Sequence, residues 1–302
     1  MSWTVFGKTP REGDFVRHDL RDPLAMECFR WVADSVARLP TWVRAIPTQG
    51  MRFVFSGSAN DRALVGTMIR SQDRVGREFP LVALRVVPAS DVVRVFPAIP
   101  LAWSNALGGA RRALELGATQ SLVDVVRTLA EIAIPSGADT RDAYARAAQA
   151  LQLAATNDFH DRVFGEGDAA PHYAYHTVRV AAAQVGRAQG PALVCPVTVA
   201  TDAMAWLELA RRLLPTLDRP LSCLWTSGAD ARLVVCLADP PASALHAVVG
   251  CAVDSARIWP LSTTSQAARA KARTVIEPLL PPPSAPLVAV IDALTQTQRS
   301  PA

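Results

Sequence analysis

Three places in this 302-residue sequence carry residue types at spacings that could do chemistry. The first is Gly7-Lys8-Thr9, a triplet that in nucleotide hydrolases ends a phosphate-binding loop. That loop also needs a glycine five residues before the Gly-Lys pair and a helix starting at the lysine, whose N-terminus holds phosphate. Ser2 stands where the glycine is required, and Pro10 and Gly13 follow, which disfavour a helix. Nucleotide binding is not expected here. The second is His172-x-x-x-His176: histidines at i and i+4 share a helix face and could both ligate zinc. No acid intervenes in His-Tyr-Ala-Tyr-His, so the metalloprotease motif is missing, and nothing in the spacing places His160 or Asp161 as a third ligand. The expectation is two partly exposed histidines on an aromatic helix face, with a metal-assisted enzyme as the weakest alternative. The third is Ser56-Gly57-Ser58, which lacks the Gly-x-Ser-x-Gly elbow of α/β-hydrolases.

What remains is two charged loops beside strands. Gly7–Arg17 holds Lys8, Arg11, Glu12, Asp14 and Arg17; Ser71–Glu78 holds Asp73, Arg74 and Arg77. Two readings stay open. In one, Asp14 and Asp73 accept backbone N–H bonds inside their own turns, and Arg17 and Arg77 pair with them to fix loop shape. In the other, the arginines face outward and grip an acidic or phosphorylated surface bidentately. The aspartates favour the structural role; Arg11 and Arg74 are evenly placed between the two.

Composition narrows the classes. Half of the residues are hydrophobic and 19% are charged, which is globular rather than disordered. The net charge of +4 is spread, with acids beside arginines (Asp73–Arg74, Arg77–Glu78), so no basic stripe predicts nucleic-acid binding. Five cysteines, widely spaced and without a C-x-x-C, predict free thiols in a reducing compartment rather than a disulfide framework or zinc knuckle. Charges at Lys8, Arg11, Glu12 and Asp14 interrupt any secretory leader, and no apolar run reaches membrane-span length. A soluble cytoplasmic protein without direct membrane insertion, and without a cofactor, is expected.

The elements that must position these loops follow from pattern. Trp3–Phe6 reads as a strand. Asp22-Pro23 opens a helix, Asp as N-cap and Pro in the first turn, with Leu24, Cys28, Trp31, Val32, Ser35, Val36 and Leu39 at helical spacing before Pro40. Met51–Ser56 and Phe79–Val87 read as strands, the second apolar enough to be central, while Ala63–Ile69 is ambiguous. Residues 99–186 turn rich in Ala, Leu, Arg and Gln and read as helices Trp103–Leu116, Gln120–Ile132, Thr140–Ala155 and His172–Gly186. Strand Ala192–Val197 follows, then a helix capped by Asp202 and ended by Pro215. A hairpin Leu221–Thr226 and Arg232–Leu237, a short helix Pro240–Val249 and a helix Thr264–Leu280 come next. Leu280–Pro286 is a stiff connector before a last short helix, Leu287–Leu294. The expectation is one α/β domain over 1–280, an α/β/α sandwich with a mixed, partly antiparallel sheet and an inserted helical middle, then a Pro-rich connector and tail over 281–302.

The two loops also carry a resemblance. Phe6-Gly7-Lys8-x-Pro10-x-x-Gly13-Asp14-Phe15-Val16-Arg17, a Trp31-bearing helix, the aromatic strand Met51–Phe55 and Ser71-x-Asp73-x-x-Gly76-Arg77-x-x-Pro80-Leu81 resemble, in order and spacing, the TagF family of type VI secretion-associated proteins. Leu224-Trp225-Thr226-Ser227-Gly228 and Val234-Val235-Cys236 are similar to its later blocks. The resemblance covers about 3–88 strongly and 190–250 moderately. Thr9, Arg70 and Thr226 depart from the family's Leu, Pro and second Trp. The resemblance implies a layered α/β fold and a cytoplasmic, non-catalytic, post-translational repressor that binds the forkhead-associated domain protein of the secretion apparatus. A structural or assembly adaptor of the same apparatus is the alternative.

Overall fold

The computed structural model describes residues 2–57, 61–165, 170–184, 190–214, 220–252, 256–262 and 264–299. Among the described residues nine strands form one sheet: β1 (Thr4–Gly7), β2 (Val16–His18), β3 (Met51–Phe55), β4 (Arg62–Ile69), β5 (Leu81–Pro88), β6 (Ala192–Pro196), β7 (Ser222–Trp225), β8 (Arg232–Cys236) and β9 (Ile258–Pro260). Their order is β2-β1-β5-β4-β3-β7-β8-β6-β9. Every pairing is antiparallel except β6 with β9, so the sheet is mixed. The seam between the earlier and later strands is β3 against β7, with Val54 opposite Cys223.

Strand side chains alternate between two apolar clusters, as the two-residue period requires. Met51, Phe53, Phe55, Leu64, Met68, Val82, Leu84, Leu224 and Val234 face one way. Val54, Val65, Leu81, Ala83, Cys223, Trp225, Leu233 and Val235 face the other. The first face is covered by α1 (Pro23–Arg38) and α2 (Trp42–Ala45), joined by a later short helix, Ser243–Val248. α1 starts as its sequence dictates: Asp22 Oδ1 accepts from the amides of Leu24 and Ala25, and Pro23 occupies the first turn. Its far side is tied to the second half, because Trp31 Nε1 donates to the Pro241 carbonyl and Ser35 Oγ to that of Ala242.

The opposite face carries the helical middle: α3 (Ala89–Val93), α4 (Ile99–Ala102), α5 (Ser104–Leu116), α6 (Leu122–Ala130), α7 (Gly137–Leu153), α8 (Thr156–Phe164) and α9 (Ala170–Ala182). α10 (Ala200–Leu213) packs with them; α11 is the Ser243–Val248 helix on the other side, and α12 (Gln266–Ile276) and α13 (Leu287–Arg299) return to this layer. The molecule is thus an α/β/α sandwich with unequal helical layers.

Several elements differ from the sequence reading, each for a physical reason. Ala63–Ile69 is strand, since β4 is paired on both sides by β3 and β5. The loop Gly7–Arg17 runs into strand β2, which hydrogen-bonds to β1. Thr140–Ala155 and the following segment are two helices, α7 and α8, broken where no glycine or proline stands. There the Thr156 amide donates to the Ala285 carbonyl, Asn157 to that of Pro283, and the Leu287 amide to Ala154. The Pro-rich connector therefore sets that break from far along the chain. The last helix, read as Leu287–Leu294, forms as α13 and runs on to Arg299, and its Leu287, Val290, Ile291 and Leu294 are buried in the same cluster as the sheet, so the segment after the connector is part of the core. Asp202 sits in the first turn of α10 rather than before it, and reaches back to accept from the amides of Thr198 and Val199. The helix ends assigned to Gly186 and Pro215, and Ser58, lie outside the described residues.

Candidate functional site

The two charged loops are brought together on the β1–β5 side of the sheet. β1 and β5 are antiparallel neighbours, so the loop leaving β1 and the loop entering β5 emerge at the same end. Gly7 makes the exit possible: its φ is +134°, and a Cβ there would run into the Pro80 carbonyl. Gly76, with φ +84°, closes the second turn.

Asp73 is the junction. Its side chain is fully buried and its Oδ1 accepts from the amides of Val75 (3.1 Å) and Arg77 (2.8 Å). Its Oδ2 accepts from Arg77 Nε (2.7 Å) and faces Lys8 Nζ at 3.0 Å. Burial alone would raise the carboxyl pKa. The Arg77 amide, the Lys8 ammonium, the Arg77 guanidinium and the Val75 amide outweigh it and hold the group well below the usual carboxylate range. The loops are stitched further by the Arg74 amide on the Glu12 carbonyl (2.9 Å), Ser71 Oγ on the Lys8 carbonyl (2.6 Å) and Arg77 Nη2 on the Gly13 carbonyl (2.7 Å).

Each residue singled out from sequence now has a place. Lys8 is buried against Asp73 and lies 5.1 Å from the Phe15 ring centre, so the lysine of the phosphate-loop look-alike is committed to an ion pair. Arg11 donates to the Thr119 carbonyl between α5 and α6 (2.8 Å), linking the first loop to the helical middle. Asp14 is exposed and accepts from the Phe15 amide (2.7 Å). Arg17 does not pair with Asp14; its guanidinium stacks 5.2 Å from the centre of Phe29 on α1. Arg74 is exposed and its guanidinium has no hydrogen-bond or ion-pair partner among the described residues. Val75, beside it at the turn tip, is 69% exposed.

Sequence reasoning missed the aromatic floor. Phe15 packs edge-on against Phe79 (4.8 Å between centres), and both approach Phe29, which meets Phe6 at 5.3 Å. The signal was present, since Phe15 and Phe79 flank the two motifs, but only the register of β1 and β5 brings them together. Of the departures from the family pattern, Thr9 is buried, Arg70 lies 3.9 Å from Glu78, and Thr226 Oγ1 accepts from the Arg232 amide in the β7–β8 turn. Glu78 is gripped mainly by Arg44 from α2 (2.7 and 2.8 Å).

His172 and His176 are half-buried on α9, one turn apart. His160 Nε2 meets the Tyr175 hydroxyl at 2.8 Å, and burial, with His172 nearby, pulls its pKa down to about 4. Among the described residues no three His, Cys, Asp or Glu side chains are placed to hold a metal ion. No described helix is long and apolar enough to cross a membrane.

What the geometry offers is a two-loop surface in which Asp73 is spent internally and whose outward groups are Glu12, Asp14, Arg74, the Arg77 edge and Val75. No curated protein matches the chain. The crystal structure of PA0076 from Pseudomonas aeruginosa PAO1 is similar at 19% identity, covering 84% of this chain and 97% of that one, with a TM-score of 0.47. The family model described as "TagF N-terminal domain, Type VI secretion system-associated" matches residues 4–132, which takes in both loops, β1 to β5 and the helices through α6. Over residues 4–132 the chain is therefore similar to the TagF N-terminal domain of type VI secretion system-associated proteins.

Proposed function

We propose that the protein is a non-catalytic, cytoplasmic regulator that represses type VI secretion post-translationally by binding the forkhead-associated scaffold protein of the apparatus. The observation that carries this reading is the union of the two TagF motif loops into one surface through Asp73, with Arg74 left outward and unpaired. An arginine held on a rigid turn loses little freedom on binding and suits an acidic or phosphorylated surface. Repression follows if the inactive scaffold is bound more tightly than the active one, since a ligand shifts an equilibrium only by its differential affinity.

The test is co-purification of the full chain with that scaffold protein at micromolar concentration, beside the variant Arg74→Glu. A complex with the parent chain that weakens strongly in Arg74→Glu supports the reading; no complex with the parent chain overturns it. Overexpression that stops release of the secretion tube protein supports repression. Loss of secretion on deletion instead supports an assembly adaptor.

A further inference from the structure

β5 carries one residue that breaks its own pattern. Leu81, Ala83 and Val87 point into the apolar cluster on the helical side, and Arg85 takes the position between them on that face, opposite Val65 of β4. It is half-buried, and among the described residues no hydrogen bond or ion pair meets its guanidinium. Burial alone lowers its pKa, with no acid offsetting it. Every other strand position pointing this way could be filled by an apolar side chain at less cost, because a half-buried charge without a partner is unfavourable.

Arg85 lines a cavity of about 200 Å³ between the end of β5, α3 and the start of α7. A single water needs roughly 15 Å³, so this is space for a molecule, yet it is smaller than the roughly 300–1,000 Å³ of sites for drug-sized ligands. Its apolar wall is formed by Val87, Val92, Trp103, Ile134 and Pro135, and polar surface makes up about as much of the lining. The polar side chains are Arg85, Asp91, Ser136 and Thr140. Ser136 is already used with Asp139 in capping α7, Thr140 bonds back to the carbonyls of Ser136 and Gly137, and Asp91 is exposed, with no ion pair to Arg85 among the described residues. One cationic fork beside an apolar wall is the complement of one carboxylate on a small apolar body.

We propose that this cavity binds a small carboxylic acid anion, its carboxylate paired with Arg85 and its apolar body against Trp103 and Ile134. The site is built partly from the TagF-matched segment and partly from residues 134–140 beyond it, and it is separate from the two-loop surface. It gives the helical middle a binding role of its own, and its fate does not depend on the scaffold-binding reading.

The experiment uses the full chain with benzoate as probe, benzamide as its neutral isostere and inorganic phosphate as a bare anion, read by isothermal titration and by melting temperature. Benzoate is expected to bind saturably and raise the melting temperature, with benzamide and phosphate weaker by about tenfold or more, the scale of a charge-assisted hydrogen-bonded pair. Arg85→Met should abolish benzoate binding while melting no lower than the parent without ligand, since it removes an uncompensated charge. Ile134→Trp, which fills the chamber and leaves Arg85 in place, should also abolish binding. The proposal is overturned if benzoate does not bind, if benzamide binds equally, if phosphate alone binds, if either variant binds benzoate like the parent, or if Arg85→Met melts lower without ligand.

Discussion

Two buried aspartates do comparable joinery in different regions of the molecule. Asp73 locks the two motif loops of the first strands; Asp202 locks the β6–α10 turn to the helical layer. Both side chains are fully buried, both accept two backbone amides, and both meet a guanidinium. They differ in where the cations come from. Asp73 takes Arg77 from its own turn and Lys8 from the neighbouring motif, whereas Asp202 takes Arg162 from α8, at 2.6 Å, from a helix that no motif announces. The same physics is therefore visible as a signature in one region and invisible in the other. A buried carboxylate needs its partners in place, since removing one partner costs far more than the pair contributes.

Substitutions can break this comparison at either node. Asp73→Ala should have the largest effect: it strands the buried Lys8 ammonium and unties both loops, and its thermal midpoint should fall furthest of the single variants. Adding Lys8→Met should restore much of the loss, because removing both charges avoids the stranded one; a double variant no better than Asp73→Ala would show that Lys8 is not the cost. Arg162→Met leaves Asp202 buried without its cation and should lower stability by about 3 kcal/mol in urea denaturation. A loss under about 1 kcal/mol would mean that the Thr198 and Val199 amides suffice alone.

Titration sharpens the same contrast. Asp73 has a folded pKa depressed below its unfolded value, so its stabilisation is complete above the ordinary carboxylate value and is lost as pH falls toward the folded pKa. The melting-temperature gap between the parent chain and Asp73→Asn should be constant near neutrality and shrink progressively below about pH 4. A gap that stays constant on acidification would contradict the assignment of its partners. The smallest expected effect on stability is that of Arg74→Glu, within about 0.5 kcal/mol of the parent chain because the side chain is exposed and unpaired. If that substitution unfolds the protein, Arg74 belongs to the Asp73 node and not to an outward surface.

How far the sequence announced this follows from the range of the interactions. The turn around Asp73 is readable because its amide donors lie two and four residues on, at Val75 and Arg77. The N-cap at Asp22 is readable for the same reason. The sequence also marked Asp202 as a cap, but its pairing with Arg162 depends on how α8 and α10 cross. The break between α7 and α8 has no local cause at all, being imposed by backbone bonds from Pro283 and Ala285. The pairing of Arg17 with Asp14, one of the two readings open from sequence, rests on their nearness in the chain, whereas Phe29, which Arg17 meets instead, is near only after α1 docks. Arg85 sits within an apolar run, where its lack of a partner shows only once the helical layer is in place.

The seam between β3 and β7 bears on how the chain is made. During synthesis β1 to β5 leave the ribosome early, with β4 and β5 able to pair at once, but the other edge of β3 must wait for Cys223 and its neighbours. Until then the nascent chain presents the open backbone of an aromatic strand, Met51–Phe55, the kind of edge that recruits other strands. The long Ala-rich helical stretch is translated during that wait. Its local contacts form quickly, and it can cover one face of the young sheet before the late strand arrives to close the edge.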